Sequence, residues 1–268
     1  MQMKKNQPIT STQKYLAIIN IVLFVLTLII NTLANALPIN GLKTGEISDR
    51  YPNLFVPAGF TFSIWGVIYL LLLASVIQQS ICTFNTKKSK NLSSSFQLLF
   101  GASLVLNMAW ILAWHYLYIA LSVMVMITLL RVLISLYKRS KKVAKNSKTR
   151  YFTIQAPIEL YYGWIVIATI ANVTALLVET QWTGCPLSEM SWTIIIILGA
   201  LALTITKLTI NRAFIFAAVV IWALIGIIAK RDINSIDEST IIYVSAASIL
   251  IIGSFGGYLW ATRHRNLA

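Results

Sequence analysis

Tyr15–Leu37 reads YLAIINIVLFVLTLIINTLANAL, an apolar run that contains no charged residue. At about 1.5 Å of rise per residue, roughly 20 such residues cross the ~30 Å hydrocarbon core of a bilayer. In lipid only a helix or a closed barrel satisfies its own backbone, and barrel strands are shorter and alternate in polarity. The run therefore reads as a membrane-spanning helix. Seven further runs follow it: Leu54–Cys82, Phe96–Tyr116, Tyr118–Tyr137, Ile154–Val178, Met190–Thr206, Ala213–Ala229 and Ile241–Thr262. The sixth and seventh are short. The expected fold is all-α, a polytopic transmembrane bundle of about eight helices.

Composition agrees. Of 268 residues, 57% are hydrophobic and 11% charged, with a mean hydropathy of +0.75. A soluble domain carries roughly 25% charged residues, so this chain cannot cover itself in water. Its net charge of +14 does not point to nucleic acid, because the 22 Lys and Arg sit in short clusters between apolar runs. That is the pattern of membrane orientation signals. Lys4, Lys5 and Lys14, then Lys87, Lys88 and Lys90, then Lys138, Arg139, Lys141, Lys142, Lys145, Lys148 and Arg150 occupy alternate loops. Lys207 with Arg212, and Arg263 with Arg265, continue the series. In the intervening loops Lys43 and Arg50 face Glu46 and Asp49, Glu179–Glu189 has no cation, and Lys230 and Arg231 are offset by Asp232, Asp237 and Glu238. The positive-inside rule then puts both termini in the cytoplasm of a plasma-membrane protein. Ala34-Asn35-Ala36 resembles a signal-peptide cleavage site, but the apolar stretch before it is longer than such peptides carry. Cys82 and Cys185 lie far apart and outside any metal-spacing motif. No Walker, GxSxG or HExxH pattern is present, so an enzyme is not expected and no cofactor is required.

Polar groups at bilayer depth each need a reason. Arg131 in the fourth run and Glu159 in the fifth lie at similar depth, and an intramembrane ion pair between them is expected. It either neutralises two charges and fixes helix register, or takes part in ligand or proton handling. Asn107 and Asn172 are either interhelical hydrogen-bond glue or polar contacts in a cavity. His115 reads as an interfacial histidine, with a haem-ligand role as the alternative, and Gly253 and Gly257 have the GxxxG spacing of close helix packing. Trp182, Trp192 and Trp260 suit interfacial belts. Trp65, Trp110 and Trp164 fall inside helices, where they either pack or line one apolar pocket.

Three motifs add a resemblance. Pro57-Ala58-Gly59-Phe60-Thr61-Phe62-Ser63-Ile64-Trp65-Gly66-Val67-Ile68-Tyr69 resembles the second helix of the tryptophan-rich sensory protein family, also called TspO or translocator protein, which reads PPGWxFGPVWxxLY there. Asn107-Met108-Ala109-Trp110 looks like its NxxW, and Tyr161-Tyr162-Gly163-Trp164 with Ala168 and Asn172 is similar to its YxxWxxFAxxxN. The resemblance covers residues 15–180 and implies a five-helix bundle whose pocket opens toward the loop after the first helix. It divides the chain into a cytoplasmic tail (1–14), that bundle, three additional helices (181–262) and a second tail (263–268). Members of the family bind porphyrins and other flat apolar ligands, and some promote porphyrin breakdown in light. The resemblance implies that Trp65, Tyr69, Asn107, Trp110, Trp164, Ala168 and Asn172 form the ligand site, with Pro38–Asn53 as a lid whose Lys43 or Arg50 meets ligand carboxylates. The sequence departs from the pattern in helix two, one residue shorter between Gly59 and Trp65, and in having Trp114-His115 where the family has a phenylalanine pair.

The expected function is binding of a hydrophobic aromatic ligand such as a porphyrin or haem-like tetrapyrrole, in sensing or transport. The alternative is a secondary transporter that uses Arg131 and Glu159. The expected partners are the lipid bilayer and a hydrophobic small molecule; a homodimer is left open.

Overall fold

The computed structural model describes residues 9–37, 39–85 and 92–265, with side chains as far as Thr262. Lys4, Lys5, Pro38, Lys87, Lys88, Lys90 and the side chains of Arg263 and Arg265 lie outside the described residues. The helices are α1 (Ser11–Ala36), a short α2 (Thr44–Asp49), α3 (Ile64–Phe84), α4 (Ser94–His115), α5 (Ile119–Ala144), α6 (Lys148–Glu179), α7 (Glu189–Asn211), α8 (Phe214–Lys230) and α9 (Ile236–Arg265). Seven helices are long and apolar enough to cross a membrane, and α8, with 17 residues, is a shorter eighth. Each apolar run of the sequence contains a helix, and no strand occurs among the described residues. The second run, expected to be helical from Leu54, is non-helical to Ala58 and a 3-10 turn over Gly59–Ser63 before α3 begins at Ile64. α1 begins four residues before its run, because Thr10 and Gln13 form a reciprocal cap: the Thr10 hydroxyl accepts from the Gln13 amide and the Gln13 side chain from the Thr10 amide.

The described chain falls into two compact units, residues up to 43 with 64–162, and 44–63 with 163 onward; the seam crosses α6 between Tyr162 and Gly163. In the first unit α1 inverts the pattern of a water-soluble helix. Its buried positions include Asn20, Thr27 and Asn31, while Ile18, Ile19, Val22, Val25, Leu26 and Ile29 are exposed. Lipid is as apolar as leucine, so polar groups gain most by turning inward to one another. Asn20 donates to the Gln79 side chain of α3 at 3.2 Å and to the Gln97 carbonyl of α4 at 2.9 Å. The Gln97 amide in turn donates to Thr83 at 3.2 Å. About three turns further along α1, Asn31 donates to Asn107 Oδ1 at 3.1 Å. α1, α3 and α4 are thus joined by a seam of amides.

α6 enters through a π turn at Tyr151–Gln155. Pro157 has no N–H to give the carbonyl four residues earlier, that of Thr153, and the Ser75 hydroxyl of α3 donates to it at 2.8 Å.

In the second unit, residues 44–63 form a strap held by the end of α8. The Ala58 amide donates to the Gly226 carbonyl at 2.9 Å, and Trp222 Nε1 to the Thr61 carbonyl at 3.0 Å. A Cβ on Gly226 would lie 2.1 Å from Thr61 Oγ1, so this close approach requires glycine. Lys230 pairs with Asp49. Arg231 donates to the Val56 carbonyl at 2.9 Å and lies 3.9 Å from Glu238. The GxxxG expectation fails here: Gly253 and Gly257 are exposed, with no described atom within 4 Å of an added Cβ, because their face of α9 points away from α7 and α8.

Two outcomes follow from this packing. A Cβ at Gly101 would lie 2.5 Å from Asn20 Oδ1, so Gly101→Ala should lower thermal stability in detergent by about 1–3 kcal/mol; an unchanged melt would refute the close α1–α4 contact. Lys230 and Asp49 are 28% and 53% exposed, but the Arg231 side chain only 7%. Exposed pairs contribute about 0.2–1 kcal/mol, whereas truncating a buried hydrogen-bonded charge leaves its partners unmet at roughly 1–3 kcal/mol. Arg231→Met should therefore speed proteolysis within residues 44–58 far more than Lys230→Met, and equal rates would overturn that ranking.

Candidate functional site

The first unit brings together four of the expected site residues. Trp65 and Tyr69 are one turn apart on α3, and Trp110 and Trp114 one turn apart on α4, so each pair shares a helix face. Trp65 stacks on Tyr69 at 5.6 Å and on Trp110 at 5.7 Å, and Trp110 stacks on Trp114 at 6.2 Å. Tyr161 meets Trp65 edge-on at 6.0 Å. The result is a column of rings rather than scattered lipid-facing indoles; Trp65 is 6% exposed and Trp110 3%. Each such ring pair contributes about 0.5–1.5 kcal/mol beyond burial.

Asn107 stands beside this column. Its Oδ1 accepts from both Asn31 Nδ2 and the Tyr69 hydroxyl, each at 3.1 Å. The oxygen's capacity is thereby used, while the opposite end of the amide, Nδ2, is buried with no acceptor within hydrogen-bond distance among the described residues, the Tyr161 hydroxyl being a polar neighbour. The same lack of an acceptor holds for Trp110 Nε1, one turn along α4. The glue reading of Asn107 is seen in its oxygen, which joins three helices; its nitrogen lies next to the stacked rings.

Trp164, Ala168 and Asn172 belong to the second unit. Trp164 is 2% exposed and meets Phe62 edge-on at 6.1 Å; Asn172 is buried and Ala168 half-buried. Of the lid cations, Lys43 and Arg50 are both exposed.

The expected Arg131–Glu159 pair does not form. Arg131 is exposed on α5 while Glu159 is 1% exposed on α6, and no ion pair joins them. A long arginine stem can carry its charge along the helix to a polar surface, so equal depth did not force the two together. Glu159 instead lies within electrostatic reach of Tyr137, whose ring stacks on Tyr162 at 5.4 Å. His115 is fully buried, its Nδ1 3.2 Å from the Ile39 carbonyl, so it tethers the chain after α1. No group of three His, Cys, Asp or Glu that could hold a metal occurs among the described residues.

Sequence reasoning did not find a cavity of about 440 Å³ in the second unit. It lies under the strap, between the end of α6 and the start of α7, with Asn53, Thr174, Trp182, Glu189 and Trp192 among its walls. The two indoles are tilted against each other at 5.5 Å, and Trp192 Nε1 donates to the Gly184 carbonyl at 2.8 Å. The Glu189 carboxylate accepts from the Leu54 amide at 2.6 Å, which ties strap to α7. Nearby, the Tyr51 hydroxyl is pushed up from its ordinary value by burial, then by the charge of Glu179 and a hydrogen bond to it, so it stays a neutral donor. Burial lowers Arg231, and Glu238 and Glu189 oppose that. The available signal was the acid-bearing, cation-free loop Glu179–Glu189, which contains Trp182 and is followed by Trp192, and which a belt explanation absorbed.

A family model described as TSPO-like protein matches residues 17–258, nearly the whole chain and all eight apolar helices. No curated protein and no solved structure matches it.

Proposed function

The chain belongs to the TSPO-like protein family, and on that premise we propose that this multi-pass membrane protein binds a flat, hydrophobic aromatic molecule of the porphyrin kind, in sensing or transport. The observation that carries the reading is the pair of unmet donors, Asn107 Nδ2 and Trp110 Nε1, buried beside the Trp65–Trp110 stack. A buried donor without a partner costs about 1–3 kcal/mol. A ligand that slides a π face against these rings and presents a nitrogen or carbonyl to the donors recovers that cost. It also replaces one ring–ring contact by two ring–ligand contacts. Orientation comes from the donors and affinity from the indoles, the usual division of labour in a small-molecule site. The reading includes a plasma-membrane location with cytoplasmic termini, supported by the distribution of Lys and Arg along the chain.

The test is a protoporphyrin titration of the protein in nanodiscs, followed by the porphyrin absorption band. Trp110→Phe keeps a stacking ring and removes one donor, and should weaken binding about 10-fold, the equivalent of one hydrogen bond. Trp65→Ala should weaken it further. A wild-type protein that leaves the band unmoved, or variants with the same melt and the same affinity as wild type, would overturn the proposal.

A further inference from the structure

The cavity of the second unit has a chemistry of its own. Its volume, about 440 Å³, falls within the roughly 300–1,000 Å³ typical of small-molecule sites. Among the residues that line it, Glu189 is the one ionisable side chain. The remaining polar groups include the Asn53 amide and the hydroxyls of Thr174 and Thr193, and the aromatic surface is Trp182 with Trp192. Trp192 has its N–H committed to Gly184, so the Trp192 group left for a ligand is its π face.

The charges around Glu189 are arranged so that it is not fully answered. Among the described residues, its hydrogen-bond partner is the Leu54 amide, on Oε1. Lys230 is taken by Asp49. Arg231 does act on Glu189, but its guanidinium nitrogens are directed at the Val56 carbonyl and Glu238. Neither cation is among the residues lining the cavity. A carboxylate beside indole faces repels an anion and attracts a cation, and an indole face is the strongest aromatic partner for an ammonium group.

We propose that this cavity is a second binding site, for an organic ammonium ion held against the indole surface of Trp182 and Trp192 and beside the carboxylate of Glu189. It is separate in place and in ligand charge from the aromatic site of the first unit, and it stands whether or not that site binds a porphyrin. The same chemistry is offered by a free amine and by the headgroup of an ammonium-bearing lipid.

The test is calorimetric titration of the full-length protein in phosphatidylglycerol nanodiscs, which contain no ammonium headgroup. The probes are choline and its uncharged carbon isostere 3,3-dimethylbutan-1-ol. Choline should bind saturably and about 10-fold or more tightly than the isostere. Glu189→Gln keeps an oxygen for the Leu54 amide, so the fold should hold while the preference for the charged probe disappears. Trp182 is 45% exposed, so Trp182→Ala should lower the melt only slightly, through the lost contact with Trp192, and weaken choline binding about 10-fold, which keeps the test sound should the Glu189 variant misfold. Repeating the titration in phosphatidylcholine separates the sources: choline binding that vanishes there identifies the lipid headgroup as the occupant, and unchanged binding identifies a free amine. Absence of saturable choline binding in phosphatidylglycerol, equal affinity for the isostere, or a charge preference that survives in Glu189→Gln would each overturn the proposal.

Discussion

The fold depends on one constraint: amides placed in a lipid environment must find each other. Asn20, Gln79 and Gln97 form one interhelical junction, and Asn31, Asn107 and Tyr69 form a second. A lone amide facing hydrocarbon would be penalised by several kcal/mol at most depths, whereas the same group facing its partner adds a modest favourable contact. The asymmetry fixes which way α1, α3 and α4 turn. Once they are turned, Trp65 and Trp110 have nowhere to go but against one another, and the aromatic column is a consequence of the polar seam rather than an independent feature.

The second unit solves a different problem. Its helices carry few buried polar residues, and α9 leaves Tyr243, Leu250, Ile251, Tyr258 and Trp260 exposed as a membrane-facing surface would be. What organises this unit is the strap at its polar end, where the unmet backbone of an irregular segment is answered by Gly226, Trp222 and Arg231. Irregular backbone is tolerated near a membrane only where protein covers it, and here α8 provides the cover. The last helices are thus part of what keeps the loop after α1 in place. The cavity beneath that loop is walled by Glu189, which ties the strap to α7 through the Leu54 amide.

Helix number was legible because an apolar run of sufficient length has one stable outcome in lipid, but the start of α3 was not: Leu54–Ser63 is as apolar as a helix start and instead joins the strap. The motif residues of α3 and α4 were legible too, since i to i+4 spacing and the NxxW pattern placed Trp65, Tyr69, Asn107 and Trp110 on facing sides. Azimuth between helices without such motifs was not. Arg131 and Glu159 shared a depth but not a face, and Gly253 and Gly257 had a packing spacing but no neighbour. Trp182 in the α6–α7 loop and Trp192 at the start of α7 were legible as interfacial residues, but the hollow they line is covered by the strap. That strap lies more than a hundred residues away in sequence, with Leu54 and Glu189 separated by 135.

The same separation bears on biosynthesis. Thr61 and Trp222 are 161 residues apart, and Asp49 and Lys230 are 181 apart. At a translation rate of about 5–20 residues per second, the strap leaves the ribosome roughly ten to thirty seconds before α8 exists to receive it. During that interval Ala58 and Thr61 have only water, lipid headgroups or a chaperone to bond with. The last-made helices therefore act as the step that matures an early-made segment, and a ribosome stalled between α6 and α8 would leave a chain whose first helices are inserted but whose strap is still waiting for its support.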